Sequence, residues 1–313
     1  MMTAPFFIDA WSFTHGRRQL PEPAPGPLEV GAWYHFQRDV EETYHRLEQA
    51  GIPESAIDGV LAEDTRPRFE SLGDGNFLLI LRGVNLNAGE QPDDMLSIRI
   101  LHYNGVLIST RKLPSRAIAD IRHDLEQDTG PDDLGAVVVE IIEKLHQRIE
   151  DFVEPFDAII ASQEEARETD NSVLMALNKR LIKLRRFLKP QRYALEAMID
   201  NLPPLLSDDR FDLANGRDTI QRINESVDFY LEHVGMVQQY QAHQHTEKVN
   251  RNTYLLSIIS GVFLPISFLT GLLGVNIGGM PGVDSPLAFA LFCIFMVVLV
   301  AVEMVVLKRW RFI

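Results

Sequence analysis

Asn276 is the residue of this chain whose type and setting point most directly to chemistry with an ion. It closes an apolar run in the stretch "GLLGVNIGGMPG" at 271–282, and the turn that follows is rich in glycine and contains no Lys or Arg. A neutral carboxamide at a helix end, repeated by the symmetry of an oligomer, makes a ring of carbonyl acceptors. Such a ring holds a hydrated cation through its water shell. Gly and Asn also cap helix C-termini, but "IGGMPG" could end the helix without Gly274, Val275 and Asn276. Upstream, Thr253, Ser260, Ser267 and Gly274 recur every seven residues, with Ser257 and Gly271 close to the same stripe. Small and hydroxylated residues at this period allow close helix approach in lipid, or they give a pore wall a polar strip. The residues alone leave both readings open.

Other groups could hold a metal or move a proton. Imidazole suits zinc, and His243 and Glu247 are four apart, with His245 between them, just before the apolar run. Asp120, His123 and Asp124 share a helical face, as do Glu41 and His45. Each pattern also describes a solvated surface pair; His243, His245 and Glu247 are favoured as metal candidates because they precede the apolar run. Glu303 is the one acid in the second apolar run. It lies within about 8 Å of Lys308 along a helix axis, so it can snorkel towards water or take part in proton coupling. The single cysteine, Cys293, excludes an intrachain disulfide and a Cys-rich zinc site. With no polar neighbour nearby in sequence, it makes a poor nucleophile. There is no G-x-x-x-x-G-K phosphate loop and no H-E-x-x-H pattern. No enzyme and no permanently bound cofactor are expected.

These residues need elements to position them. Residues 254–273 carry no charge over twenty positions, a helix of roughly 30 Å, the thickness of a bilayer's hydrocarbon core. Residues 287–307 form a second such run with one charge, Glu303. Lys248 and Arg251 precede the first run, "KRWR" follows the second, and the intervening turn has no Lys or Arg. The positive-inside rule then expects two spans with both termini cytoplasmic and the Gly-rich turn outside. Tyr254, Trp310 and Phe312 fit the interfacial aromatic belt. The N-terminal "MMTAPFFIDAWSF" lacks the basic and apolar regions of a cleaved signal.

The formal charge of −14 is unevenly spread. From Tyr240 onward Lys248, Arg251, Lys308, Arg309 and Arg311 face Glu247, Asp284 and Glu303, a surplus of two, so residues 1–239 carry −16. An acidic body repels nucleic acid and is suited to gathering cations.

Within that body, residues 1–115 read as mixed α/β. "WYHFQRDVEETYHRLEQAG" has helical periodicity and ends at Gly51; "RFESLGDGNFLLILRG" reads as two strands about a Gly-Asp-Gly turn. "MLSIRILHYNGVLISTRK" is a hairpin about Asn104-Gly105. After Pro114 the pattern is helical, with Pro155 and Pro190 expected to kink or interrupt their helices. The last helix is expected from about Arg217 into the first apolar run, roughly 85 Å in all. Ile220, Ile223, Val227, Tyr230, Val234 and Val237 form a heptad seam on it, continued in polar form by Gln241, Gln244, Lys248 and Arg251. The seam packs either on its own domain or against copies of itself, and a helix that enters the bilayer favours the second.

The C-terminal motifs resemble the CorA-type superfamily of divalent-cation channels and transporters. Its first span ends in a Gly-Met-Asn signature, matched here by Gly274, Val275 and Asn276, and Pro265 and Phe268 suit that span. Met280-Pro281 matches the family's Met-Pro in the external loop, and "LRRFLKPQRYAL" resembles a family pattern in the preceding helices. Val275 replaces the central Met, and the loop acids of magnesium-transporting members are absent save Asp284. "GVNIGGMPG" looks like the superfamily's ZntB-like zinc-transporter branch.

The resemblance implies a funnel-shaped homopentamer with an α/β/α cytoplasmic domain, placed in the cytoplasmic (inner) membrane, with Asn276 at the external mouth. The domain boundaries expected are 1–216 for the α/β/α domain, 217–252 for a stalk helix, 253–276 and 287–307 for the transmembrane helices, 277–286 for the external loop and 308–313 for a basic tail. The implied function is Zn²⁺ transport, read here as uptake with proton coupling. The alternatives are zinc efflux, a magnesium or cobalt channel, and a membrane-anchored metal sensor. The implied partners are further copies of the chain, the lipid bilayer and divalent cations.

Overall fold

The computed structural model describes residues 5–166, 170–275 and 285–309. The chain divides into two compact units, Met1–Gln238 and Gln239–Ile313.

The first unit is built on a seven-stranded sheet. Its strands are β1 (Phe7–Ser12), β2 (Arg18–Gln19), β3 (Ala32–Gln37), β4 (Arg68–Gly73), β5 (Asn76–Gly83), β6 (Leu96–Tyr103) and β7 (Val106–Arg111), in the order β2-β1-β3-β7-β6-β5-β4. All pairs are antiparallel except β3 with β7, which are parallel. The two hairpins foreseen from sequence are present. β6 and β7 turn at Asn104 and Gly105, both with positive φ, as a tight two-residue turn requires.

Side chains alternate across the sheet. Leu78, Ile80, Leu101, Ile108, Tyr34 and Phe36 pack on one face with Leu47, Ala56, Ile57 and Val60. These last come from α1 (Glu41–Gln49) and α2 (Glu54–Leu61). Phe77, Leu79, Leu81, Ile98, Ile100 and Leu107 face the larger core. That core is closed by α3 (Arg116–Glu126), α4 (Leu134–Val153), α5 (Pro155–Glu165), α6 (Asn171–Asp200) and the start of α7 (Arg210–Gly274). The result is a three-layered α/β/α unit.

Several expectations need correction. Residues 33–37, expected in a helix, are the centre of β3; only Glu41–Gln49 is helical, with Gly51 just beyond in the left-handed region. The aromatic run Trp33, Tyr34 and Phe36 is buried on both sheet faces, where strand burial overrides a helical spacing. Pro155 does divide α4 from α5, but α6 runs unbroken through Pro190. α7 begins at Arg210, not near Arg217. Gly216 lies inside it because a Cβ there would sit 3.1 Å from Ile142 Cγ2, so the glycine serves close packing.

The heptad seam of α7 is buried within its own unit. Ile220, Ile223, Val227, Val234 and Val237 all join the larger core, with Tyr230 packed against it. The spacing is right, but the seam is not a free surface for copies of the chain.

The second unit holds the rest of α7 and α8 (Ala288–Arg309). Both helices contain stretches long and apolar enough to cross a membrane, and none of either stretch is buried.

Candidate functional site

The residues expected to line an ion path fall on the C-terminal part of α7. The helix runs through Pro265, its only proline, as far as Gly274, and two of its hydroxyls are accommodated locally. The Ser257 hydroxyl donates to the Thr253 carbonyl at 2.9 Å. The Thr270 hydroxyl donates to the Ile266 carbonyl at 2.9 Å or that of Ser267 at 3.1 Å. Back-bonding of this kind lets a hydroxyl sit in an apolar helix without an orphaned proton. Ser260 and Ser267 make no such side-chain bond among the described residues, so their hydroxyls are available outward. A Cβ added at Gly271 or Gly274 would meet nothing within 4 Å. No packing among the described residues requires glycine there.

Sequence reasoning stopped the hydroxyl stripe at Thr253. Thr246 lies seven residues earlier, and its hydroxyl donates to the Ala242 carbonyl at 2.8 Å. Extending the same heptad register upstream would have found it. Thr270 was missed because it falls off that register.

Asn276, Met280, Pro281 and Asp284 lie outside the described residues, as do Trp310 and Phe312. Val275 closes the described part and is half exposed. Among the metal candidates, His243 Nε2 lies 3.4 Å from Glu247 Oε1, with both side chains exposed; His245 is exposed and makes no pair with them among the described residues. No cluster of three His, Cys, Asp or Glu side chains arranged for a metal occurs among the described residues.

The other candidate face is taken by salt bridges. Arg148 holds Asp120, and Lys144 Nζ is 2.8 Å from Asp124 Oδ2; His45 sits between Glu41 and Glu48 at the surface. Glu303 lies on α8, and its Oε2 is hidden without a hydrogen bond; no ion pair joins it to Lys308 among the described residues. Cys293 is free and exposed on the same helix.

The perturbed buried histidines lie elsewhere. His146 on α4 is buried, and burial lowers its pKa to about 4 against a smaller opposing effect of the Gly216 backbone. His35 on β3, also buried, is lowered well below the usual range by burial and by Arg111 and Arg122. Neither imidazole was singled out from sequence, because nothing local marks a histidine for burial.

A three-layered α/β/α unit followed by a long helix, with two unburied apolar stretches towards the C-terminus, is the architecture to be compared with known proteins. The pattern of the family described as "CorA-like Mg2+ transporter protein" matches residues 29–309, and this chain belongs to that family. Within it, the chain is 40% identical over 309 residues to the zinc transport protein ZntB of Vibrio parahaemolyticus, covering 98% of this chain and 97% of that protein. The solved cytoplasmic domain of ZntB from Vibrio parahaemolyticus superposes with a TM-score of 0.74 at 36% identity, covering 78% of this chain and all of that one. The structure of the full-length CmaX protein matches with a TM-score of 0.84 at 33% identity over 99% of both chains. The two-layered expectation drawn from the C-terminal motifs, family first and zinc-transporting branch second, is met by these likenesses.

Proposed function

We propose that this protein carries Zn²⁺ across the cytoplasmic (inner) membrane, inward, through a pore formed by the C-terminal ends of α7 from five copies. The carrying observation is that α7 runs unbroken to Gly274 with Ser260 and Ser267 unpartnered and with open space at Gly271 and Gly274. A helix so built has its packing completed by neighbours, and its hydroxyls face either them or water. Thr253, Ser257, Ser260, Ser267 and Gly271 then line the path, and Asn276 forms its outer ring. The zinc transport function of the 40% identical relative supports zinc as the ion.

In this reading the α/β/α unit is cytoplasmic, which accords with the relative's solved cytoplasmic domain covering 78% of this chain. Both termini are cytoplasmic, the five units form a funnel, and residues 277–286 are the external loop. The acidic body raises the local concentration of cations at the inner end. Inward direction follows from energy: a potential negative inside favours entry of a divalent ion by about 4.6 kcal/mol per 100 mV. That exceeds a thousandfold in equilibrium ratio. Efflux would need a driving ion or a steep internal excess. Glu303, the acid of α8 whose Oε2 has no hydrogen-bond partner among the described residues, is the residue through which inward proton flow would be coupled. His243, His245 and Glu247 are a secondary metal-contact proposal at the inner end.

One second reading has a specific observation behind it: the family's own description names Mg²⁺. Purified protein in liposomes loaded with ion-sensitive dyes separates the two. Zn²⁺ entry exceeding Mg²⁺ and Co²⁺ entry, and rising with an inward proton gradient, supports the coupled zinc importer. Magnesium entry indifferent to the pH gradient supports the channel. No flux of any ion through vesicles shown to hold folded oligomer would leave a membrane-anchored sensor.

A further inference from the structure

Two helices of the first unit, α6 and α7, meet along seams of the same period. On α6, Leu174, Leu177, Leu181, Leu184 and Leu188 are buried in alternating steps of three and four, and Leu195 resumes the series beyond Gln191. On α7, Ile220, Ile223, Val227, Val234 and Val237 keep the same rhythm, with Tyr230 between. A ridge of like side chains fits a facing ridge nearly as well one turn away, about 5.4 Å along the axis. Apolar packing therefore joins these helices without fixing where along each other they sit.

The ion pairs between them do not remove the ambiguity. Asp228 on α7 lies 2.8 Å from Arg185 Nε and 3.1 Å from Lys189 Nζ on α6. Glu225 precedes Asp228 by three residues and Glu232 follows it by four, so all three acids share one side of α7. A slide of one turn in either direction offers Arg185 and Lys189 another carboxylate.

One polar side chain on each helix breaks the apolar pattern. Among the described residues, Asn224 is the only polar side chain in the buried set of α7, and Gln191 the only one in that of α6. Asn224 Nδ2 donates to the Leu188 carbonyl of α6 at 3.1 Å and to the Ile220 carbonyl of its own helix at 2.8 Å. Its Oδ1 is hidden without a donor. Gln191, three residues beyond Leu188, accepts the Arg82 backbone N–H of β5 at 2.7 Å, and its Nε2 is hidden without an acceptor. A hidden unpaired polar atom costs free energy, so neither amide is accounted for by stability alone. A lone Asn in an apolar seam instead specifies register, because one alignment gives its donor an acceptor and the others do not.

We propose that Asn224 locks the axial register of α7 on α6, and that without it α7 slides along the leucine ridge by one turn. Gln191 ties the same level of α6 to the sheet. After such a slide Val227 or Ile220 would stand beside the Leu188 carbonyl, and the Asn224 amide would lose its acceptor on α6. Gly216 opposes the slide sterically, since a side chain there would press on Ile142 Cγ2 at 3.1 Å. That obstacle is the end of one side chain, which can turn aside, whereas Asn224 loses its bond to α6 outright. A step of one turn is the size by which packed elements ratchet between discrete states, and the lock selects one of them. The inference concerns the first unit alone and holds whichever ion the protein carries.

The test uses the full-length protein in detergent, with Cys293→Ser to remove the native thiol and Arg185→Cys as the reporter on α6. Paired with it, Asp228→Cys reports the observed register, while Glu225→Cys and Glu232→Cys report a slide of one turn either way. A short bifunctional thiol reagent joins each pair within one chain, and yields are read on denaturing gels. With Asn224 in place the Asp228→Cys pair should dominate. Asn224→Leu should raise the yield of a one-turn pair relative to it by about tenfold, the shift that one buried hydrogen bond supports. The unfolding midpoint should not fall, because an apolar side chain replaces an incompletely paired amide. Should the leucine prevent folding, Asn224→Ala removes the same hydrogen bond with a smaller side chain and is read by the same three pairs. Unchanged ratios in the folded variants, with or without a lowered midpoint, overturn the proposal and leave Asn224 a stabilising contact only.

Discussion

Gly216 and Gly271 lie in the same helix, α7, in opposite surroundings. A Cβ at Gly216 would press on Ile142 at 3.1 Å, whereas one at Gly271 would meet nothing within 4 Å. The side chains follow suit. From Ile220 to Val237 the seam of α7 is buried in the core of its own unit. Leu255, Leu256, Phe263, Leu264 and Phe268 are exposed large apolar residues. The first region is a finished interface, complete within one chain. The second spends its apolar surface on nothing among the described residues, and water is a poor solvent for it. Lipid is a surrounding that suits such a surface.

The contrast can be broken at its strongest point first. Ile220→Ala empties a fully buried site and should destabilise the first unit by about 2–5 kcal/mol. Val297→Ala, on the exposed surface of α8, should shift the same unfolding transition by less than about 0.5 kcal/mol. Thermal or denaturant unfolding of the two variants in detergent, followed by tryptophan fluorescence, provides the check. Equal losses would mean that α8 is packed as the core is.

A pH series sharpens the same boundary. The pKa of His146 is lowered in the folded protein from 6.5 to about 4, so below pH 6.5 the unfolded chain takes up a proton that the folded one refuses. Stability is therefore fully present above pH 6.5 and is lost as pH falls towards 4. The loss is on the order of 3 kcal/mol for this one group. His35 is lowered too and acts in the same direction. His146→Leu should flatten most of its own share in melts taken between pH 7.5 and 5 and leave that of His35. An unchanged slope would show that His146 reaches solvent.

The smallest effect belongs to the stretch between the two regions. His243 and Glu247 are exposed and 3.4 Å apart, and His243→Ala should alter stability by less than about 0.5 kcal/mol. A larger loss would place this pair in an interface.

What the sequence disclosed follows the range of the forces involved. The Asn104-Gly105 hairpin, the strands about Gly73-Asp74-Gly75 and the two apolar runs were legible because local rules write them: turn chemistry, alternation and length. The parallel pairing of β3 with β7 was not, since it joins Trp33 to Leu107, 74 positions along the chain, and leaves no local trace. β3 reads as helix in the sequence because the spacing at 33–36 suits both forms until burial on two faces decides. The seam on α7 was read correctly in its period and wrongly in its preferred partner, for periodicity says that a face is covered without saying by what. Of the candidate site, the sequence shows the hydroxyl spacing from Thr253 onward, and the structure adds that Thr246, one heptad earlier, lies on the same helix. The buried His146 and Arg99 were illegible, since their burial is a property of the assembled layers.

The central claim, that the unburied end of α7 forms a zinc path, is tested most directly by zinc entry into liposomes containing the wild-type protein or Asn276→Ala. The expected result is dye-reported Zn²⁺ entry under an inside-negative potential that falls about tenfold or more in the variant, as loss of an outer coordinating ring would require. Equal entry in both proteins, at equal amounts of folded oligomer, would contradict it.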